Sequence, residues 1–333
     1  MMTTAAPTVS IVAMCYNHGK FLRDCLDSIF AQEGDHTFEI ILVDDASTDD
    51  SEAVARSYSD PRLTYVRHAK NTGHVTTAHD GFALARGRYV ARVDSDDRYR
   101  PSFLRETIAI FERYPEVGLV YGNPAIMNTA GYVVAEWEQY TSDLHDNRDY
   151  RGNIYVRLLE RNFICAPTAI ARREAWEQSL PIPAHLAFSD WYTSLQIARR
   201  YDAYYLDKTL ADYRVHAQNS HTHISRNKSE EESVFWLLDK LYSEQEPRAE
   251  LEEPKRRARD RVYGANYLIL AEKYFGFGMN EDARRCYFEA VRRQPSDLAK
   301  AGVARRFAAT MLPRPLYDAS KAALRGLRRG RSS

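Results

Sequence analysis

Asp94-Ser95-Asp96-Asp97 places three carboxylates within four residues. Packed like charges repel unless a cation neutralises them, and hard oxygen ligands suit Mg²⁺ or Mn²⁺. An acidic turn that caps the next helix accounts for an isolated run of this kind equally well. The spacing lacks the glycine of an EF-hand loop, which speaks against a calcium sensor. A second acidic pair stands in Asp44-Asp45-Ala46-Ser47, and a third polar run is Met14-Cys15-Tyr16-Asn17.

Each of these runs follows a segment that reads as a β-strand. Val9–Ala13, Phe38–Val43, Leu63–Arg67, Arg88–Val93 and Val117–Tyr121 are apolar and rich in β-branched or aromatic residues. Between them, Phe21, Leu22, Cys25, Leu26, Ile29 and Phe30 recur at helical spacing. Ser47 and Asp50 are placed to cap and charge a helix over Ala53 and Ala55, and Pro101 suits a first helical position. This alternation predicts an α/β fold: a Rossmann-like, mainly parallel sheet with right-handed crossovers and helices on both faces. Such sheets bind ligands beyond the carboxyl ends of their strands. Asp44, Asp45, Asp94, Asp96 and Asp97 all fall there, so five carboxylates are expected on one edge.

The chain has 333 residues, 44% of them hydrophobic and 28% charged, enough for a substantial core without disulfide or metal staples. Its 46 basic and 46 acidic side chains cancel, so no overall field favours nucleic acid. No apolar run reaches membrane-spanning length and the first residues lack a signal-peptide pattern, from which a cytoplasmic protein is expected. Cys15, Cys25, Cys165 and Cys286 are scattered in apolar surroundings and read as buried thiols. Neither GxGxxG after the first strand nor GxxxxGK[ST] occurs, which disfavours a dinucleotide cofactor and a P-loop nucleotide. Without a glycine cradle, a nucleotide can still be held by a carboxylate after the second strand, with a metal on the third acidic run bridging its diphosphate. That is the layout of a sugar-nucleotide site.

Several separated motifs then resemble family 2 glycosyltransferases with the GT-A fold. These are VSIVAMCYN with FLRDCLDSIFAQ, EIILVDDASTDDS, NTGHVTTAHDGFALARGRYVARVDSDD, FSDWYTSLQIARR and YRVHAQNSH, in the family's order and covering about Thr8 to Ser220. The resemblance implies that Tyr16 and Asp45 contact the base or ribose, with Asp44 shaping the same turn. It implies a metal and diphosphate site at Asp96 and Asp97, with Asp94 beside them and His216 completing it, and Mn²⁺ or Mg²⁺ as cofactor. Asp190 matches the catalytic base, although Ser189 stands where relatives carry Glu, and His79-Asp80 replaces a usual Arg-Asn. Asn162–Ala171 corresponds to the acceptor-side loop. Read from the residues alone, His216 is a structural histidine and Asp190 a helix cap. The implied reaction is inverting transfer of a sugar from a nucleoside diphosphate donor, UDP-linked, to a hydroxyl of a glycan or lipid-linked acceptor in surface polysaccharide synthesis.

Residues 1–225 are expected to form the GT-A domain, with a nucleotide-sugar half over 1–122 and an acceptor half over 123–225. Residues 226–333 are expected to be α-helical. Within them Tyr267, Leu270, Ala271, Tyr274, Ala283, Tyr287, Ala290 and Pro295 match one tetratricopeptide-like helix pair over about 264–297. A single repeat must pack on its own chain, on a partner or on a second copy. From Lys300 onward nine Lys/Arg face Asp318 alone, and this basic tail could rest on the inner face of an anionic membrane or remain solvated. Two other readings stay open: an inactive GT-A-like scaffold that binds a partner through its helices, and a sugar nucleotidyltransferase.

Overall fold

The computed structural model describes residues 6–136, 145–146, 148–216, 224–300 and 302–311. Asn219 and Ser220 of the last motif, and the basic tail beyond 311, lie outside them. The chain divides into two compact units. One comprises residues 1–158, 162–219 and 246–251; the other comprises 159–161, 220–245 and 252–333. Each unit is thus built from more than one stretch of the sequence.

In the first unit β1 (Val9–Cys15) leads to α1 (Gly19–Phe30), β2 (Phe38–Asp44), α2 (Ser51–Arg56), β3 (Leu63–Arg67), α3 (His74–Ala83) and β4 (Tyr89–Asp94). Then follow β5 (Arg98–Tyr99), α4 (Phe103–Arg113), β6 (Val117–Met127), β7 (Val133–Glu136), β8 (Tyr150–Gly152) and α5 (Tyr155–Glu160), the last two residues of which belong to the second unit. The unit continues through β9 (Ile170–Arg172), α6 (Arg173–Glu177), α7 (Asp190–Ala198) and β10 (Asp202–Arg214). Among the described residues the sheet runs β3-β2-β1-β4-β9-β6-β10-β5, with β7 on β6 and β8 on β10. Strands β1 to β4 pair in parallel, whereas β9 lies antiparallel between β4 and β6. The antiparallel additions β5, β7, β8 and β9 are two to four residues long, too short to leave a periodic signal.

One face of the sheet buries Ile11, Ala13, Ala91 and Val93 against Leu22, Leu26 and Ile29 of α1 and Leu104 and Ile108 of α4. The other face sets Val12, Met14, Ile41, Val43 and Val90 against Ala78 and Phe82 of α3. Gly81 makes this second contact possible: a Cβ there would stand 2.4 Å from Val12 Cγ1. Two helix starts differ from the sequence reading. Helix α2 begins at Ser51, because the Ser47 hydroxyl accepts the Asn17 N–H at 2.9 Å and Asp49 accepts that of Ser51 at 3.0 Å. Helix α4 begins at Phe103, so Pro101 lies in the preceding turn.

The second unit contains α8 (Ser229–Ser243), α9 (Glu252–Gly276), α10 (Asn280–Arg293) and α11 (Val303–Ala309). Leu270, Ala271, Tyr274, Ala283 and Tyr287 share its core with Phe275, Cys286, Val303 and Ala309. Gly278 turns the chain between α9 and α10 at φ 79°, a conformation that costs other residues energy. Glu231 is buried in α8 and bonded to Arg285 at 2.7 and 2.8 Å and to Tyr274 at 2.8 Å, so its charge is compensated inside this unit. No described helix is long and apolar enough to cross a membrane. All four cysteines are buried and free.

Candidate active site

The loops that leave β1 and β2 are sewn together. Asn17 Oδ1 accepts from the Thr48 amide at 2.8 Å, and the Gly19 amide donates to Asp49 at 2.8 Å. Asn17 and Ala46 hold positive φ, 57° and 61°, so each strand end turns sharply. Tyr16 is the exposed tip of this junction, 45% accessible.

Asp44 and Asp45 sit beside it but face inward. Asp44 has no exposed surface and accepts from the Ser47 amide at 2.8 Å, Tyr65 at 2.7 Å and Arg67 at 2.8 Å. Its carboxylate thus ties the turn after β2 to the β2–β3 edge. Asp45 accepts at Oδ1 from His68 (2.9 Å), the Thr72 amide (2.7 Å) and the Thr72 hydroxyl (2.9 Å), and at Oδ2 from the Gly73 amide (2.8 Å). Burial by itself would raise the Asp45 pKa, but hydrogen bonds from His68, Thr72 and Gly73 outweigh it and hold the carboxyl below its ordinary value. It anchors the loop that enters α3.

The run after β4 is held by Arg214, the last residue of β10. Its guanidinium is buried, lies over the Phe21 ring at 4.6 Å, and donates to the Asp96 carbonyl at 2.6 Å and to Asp24 at 3.0 Å. Its amide donates to Asp97 Oδ1 at 2.8 Å. One arginine therefore fixes the acidic run and, two residues further on, His216.

As a result His216 Nε2 lies 2.8 Å from Asp96 Oδ2, and His18 Nδ1 lies 3.7 Å from Asp96 Oδ1. One donor atom from each of these three residues lies within 4.8 Å of the others. Two imidazoles and a carboxylate around one point suit Mn²⁺ or a similar divalent ion, so the residues present fit a metal. Burial alone would raise the Asp96 pKa; the His216 hydrogen bond and the nearby His18 and His216 charges bring it below the ordinary value.

Asp97 does not join the cluster among the described residues. It is 1% exposed, and Oδ2 has no hydrogen-bond partner. Burial first, then the Asp96 and Asp94 charges, push its carboxyl well up. Asp94 is partly exposed at the rim, 3.2 Å from Arg92.

Asp190 opens α7, and its Oδ2 accepts from Asn162 Nδ2 at 2.9 Å. With Arg92, Ala166, Trp176, Thr193 and Ser194 it lines one cavity. Sequence reasoning assigned no role to His18, Arg92 or Arg214. A signal existed for Arg92, a charge in an otherwise apolar strand at a position that must face the core. None existed for His18, which meets Asp96 only through the fold.

The family model described as "Glycosyl transferase family 2" matches residues 10–180, just over half of the chain. An uncharacterized protein of Mycobacterium tuberculosis, Rv1520, is 29% identical over 214 residues, 63% of this chain and 59% of its own length. The chain thus spans less than two thirds of that relative. The putative teichuronic acid biosynthesis glycosyltransferase TuaG of Bacillus subtilis is 26% identical over 241 residues, 71% of this chain and 89% of TuaG. Among solved structures, S. aureus TarS in complex with UDP-GlcNAc superposes with a TM-score of 0.64 at 15% identity, covering 91% of this chain and 90% of that one. The mannosyltransferase PcManGT of Pyrobaculum calidifontis, in complex with GDP-Man and Mn²⁺, gives 0.61 at 19% identity over 96% and 84%. The strand-end loops, the acidic run after β4 and the matched segment agree: the chain belongs to glycosyl transferase family 2.

Proposed function

We propose that the protein is a metal-dependent inverting glycosyltransferase that moves a sugar from a nucleoside diphosphate donor, UDP-linked, to a hydroxyl of a glycan or lipid-linked acceptor in polysaccharide synthesis. The observation that carries this reading is the His18–Asp96–His216 cluster at the carboxyl edge of the sheet, with Asp190 in a neighbouring cavity.

Tyr16, at the exposed tip, stacks on or bonds to the nucleoside, while Asp45 holds the loop beside it. Asp96, His216 and His18 hold Mn²⁺ or Mg²⁺, which when bound offsets the negative charge of the diphosphate leaving group. Asp97 keeps the run in shape through the Arg214 amide. Asp190, oriented by Asn162, takes the proton of the acceptor hydroxyl as its oxygen attacks the anomeric carbon. A single in-line displacement inverts that centre. Arg214, buried and bonded to the backbone of the acidic run, keeps the two sides in register.

Titration calorimetry with a panel of UDP-, GDP- and dTDP-sugars, with Mn²⁺ and with EDTA, tests the reading. Metal-dependent binding of a UDP-sugar supports it; binding of a GDP- or dTDP-sugar alone overturns the choice of nucleotide, and no binding across the panel overturns the whole reading.

A further inference from the structure

Arg92 is a cation in an apolar layer. It shares a face of β4 with Val90, and the neighbouring side chains on that face, Val12, Met14, Ile41 and Val43, are buried hydrophobics. At 8% exposure its guanidinium carries a large desolvation cost that only full pairing offsets. Pairing within the chain is incomplete. One terminal nitrogen donates to Ser189 Oγ at 2.6 Å and the other to Asp94 Oδ1 at 3.2 Å, while the buried Nε has no hydrogen-bond partner. A methionine would fill this place at lower cost, so stability of the fold does not account for the charge.

Both partners border the candidate site. Asp94 ends β4 and opens the run that carries Asp96. Ser189 is the N-cap of α7, yet its hydroxyl makes no capping bond to the helix; Arg92 engages it instead, immediately before Asp190. Arg92 and Asp190 also line the same cavity. Burial opposes the charge on Arg92, and the fields of Asp94, Asp190 and Asp97 more than restore it.

We propose that Arg92 is a positioning residue for the transfer step, a planar tie that fixes the first turn of α7, and with it Asp190, to Asp94 at the end of β4. The inference rests on the reading of Asp190 as the base. A guanidinium holds two acceptors at a set separation and angle, which a lysine ammonium does not. Its charge also offsets those of Asp94 and Asp190, both of which act on it.

Three variants test this in the full chain: Ser189→Ala, Arg92→Lys and Arg92→Met. Hydrogen exchange is followed over residues 188–196. Donor affinity, kcat and acceptor KM are measured with Mn²⁺ and the donor selected by calorimetry, starting from UDP-GlcNAc and GDP-mannose. Ser189→Ala and Arg92→Lys are expected to speed exchange in that segment and to lower kcat by about 10- to 100-fold, since displacement of about 1 Å costs that much. Donor affinity is expected to stay within about twofold, and adding Ser189→Ala to Arg92→Met to cost nothing further, as for two members of one linkage. Unchanged exchange and kcat, donor affinity falling in step with kcat, or additive losses would each overturn the proposal. Should Arg92→Met not fold, the Ser189→Ala and Arg92→Lys pair decides, as neither removes more than one hydroxyl or the fork. Asp190→Asn runs alongside: if it retains transfer, the base assignment fails, while exchange over 188–196 still judges the tie.

Discussion

Asp45→Asn separates two roles that a carboxylate after β2 can play. Its Oδ1 takes three donors and its Oδ2 takes the Gly73 amide at 2.8 Å. Asparagine keeps most of these bonds if its carbonyl oxygen replaces Oδ1, but its NH₂ then faces the Gly73 N–H, donor against donor. Losing one charge-assisted bond and leaving that amide unpaired costs about 2–3 kcal/mol. This corresponds to about a 30- to 140-fold rise in local opening of the loop. Hydrogen-exchange mass spectrometry of peptides spanning residues 68–76, near neutral pH, reads that ratio directly. Because the folded carboxyl lies below its ordinary value, the stabilisation is complete above the unfolded pKa of about 3.9 and fades as pH falls through the lower folded value. The variant and the parent therefore converge in acid. Unchanged exchange together with lost donor binding would refute the reasoning and make Asp45 a direct nucleotide contact instead of a loop anchor.

Asp190→Asn is expected to keep donor affinity within about twofold while slowing transfer by about 10²–10⁴-fold, the usual worth of a general base; calorimetry and product assay measure the two halves. For the metal, Asp96→Asn and His216→Ala should each weaken Mn²⁺ binding by tenfold or more, read as free Mn²⁺ by electron paramagnetic resonance, whereas Asp97→Asn should leave it nearly unchanged because Asp97 stands outside the cluster. Gly81→Ala places a methyl 2.4 Å from Val12 Cγ1 and should destabilise the first unit by about 1–3 kcal/mol, seen as faster exchange in β1 and α3.

Strand β3, only half-buried, was legible from its β-branched and aromatic residues; β1, β2, β4 and α1 were legible because each is long enough to show a period and buries a continuous face. The same holds for the helical segment after 226. Strands β5, β7, β8 and β9 were not, because two to four residues carry no pattern and exist only where a neighbour supplies hydrogen bonds. Residue types at the strand ends announced an acidic edge, and the ordered motifs announced the family.

What each carboxylate does there was decided by tertiary structure. Asp44 and Asp45 look alike in sequence, yet one ties down β3 and the other the entrance to α3. Asp96 and Asp97 are adjacent, yet only Asp96 meets the two histidines, because Arg214 from the far end of the first unit turns the run and draws Asp97 inward. His18 and His216, 198 residues apart in the chain, become neighbours only once β1 and β10 lie in one sheet. Composition and periodicity act over a few residues and so determine elements and their edges. The pairing of charges depends on separations of a few ångströms between distant segments, and only the packed chain sets those.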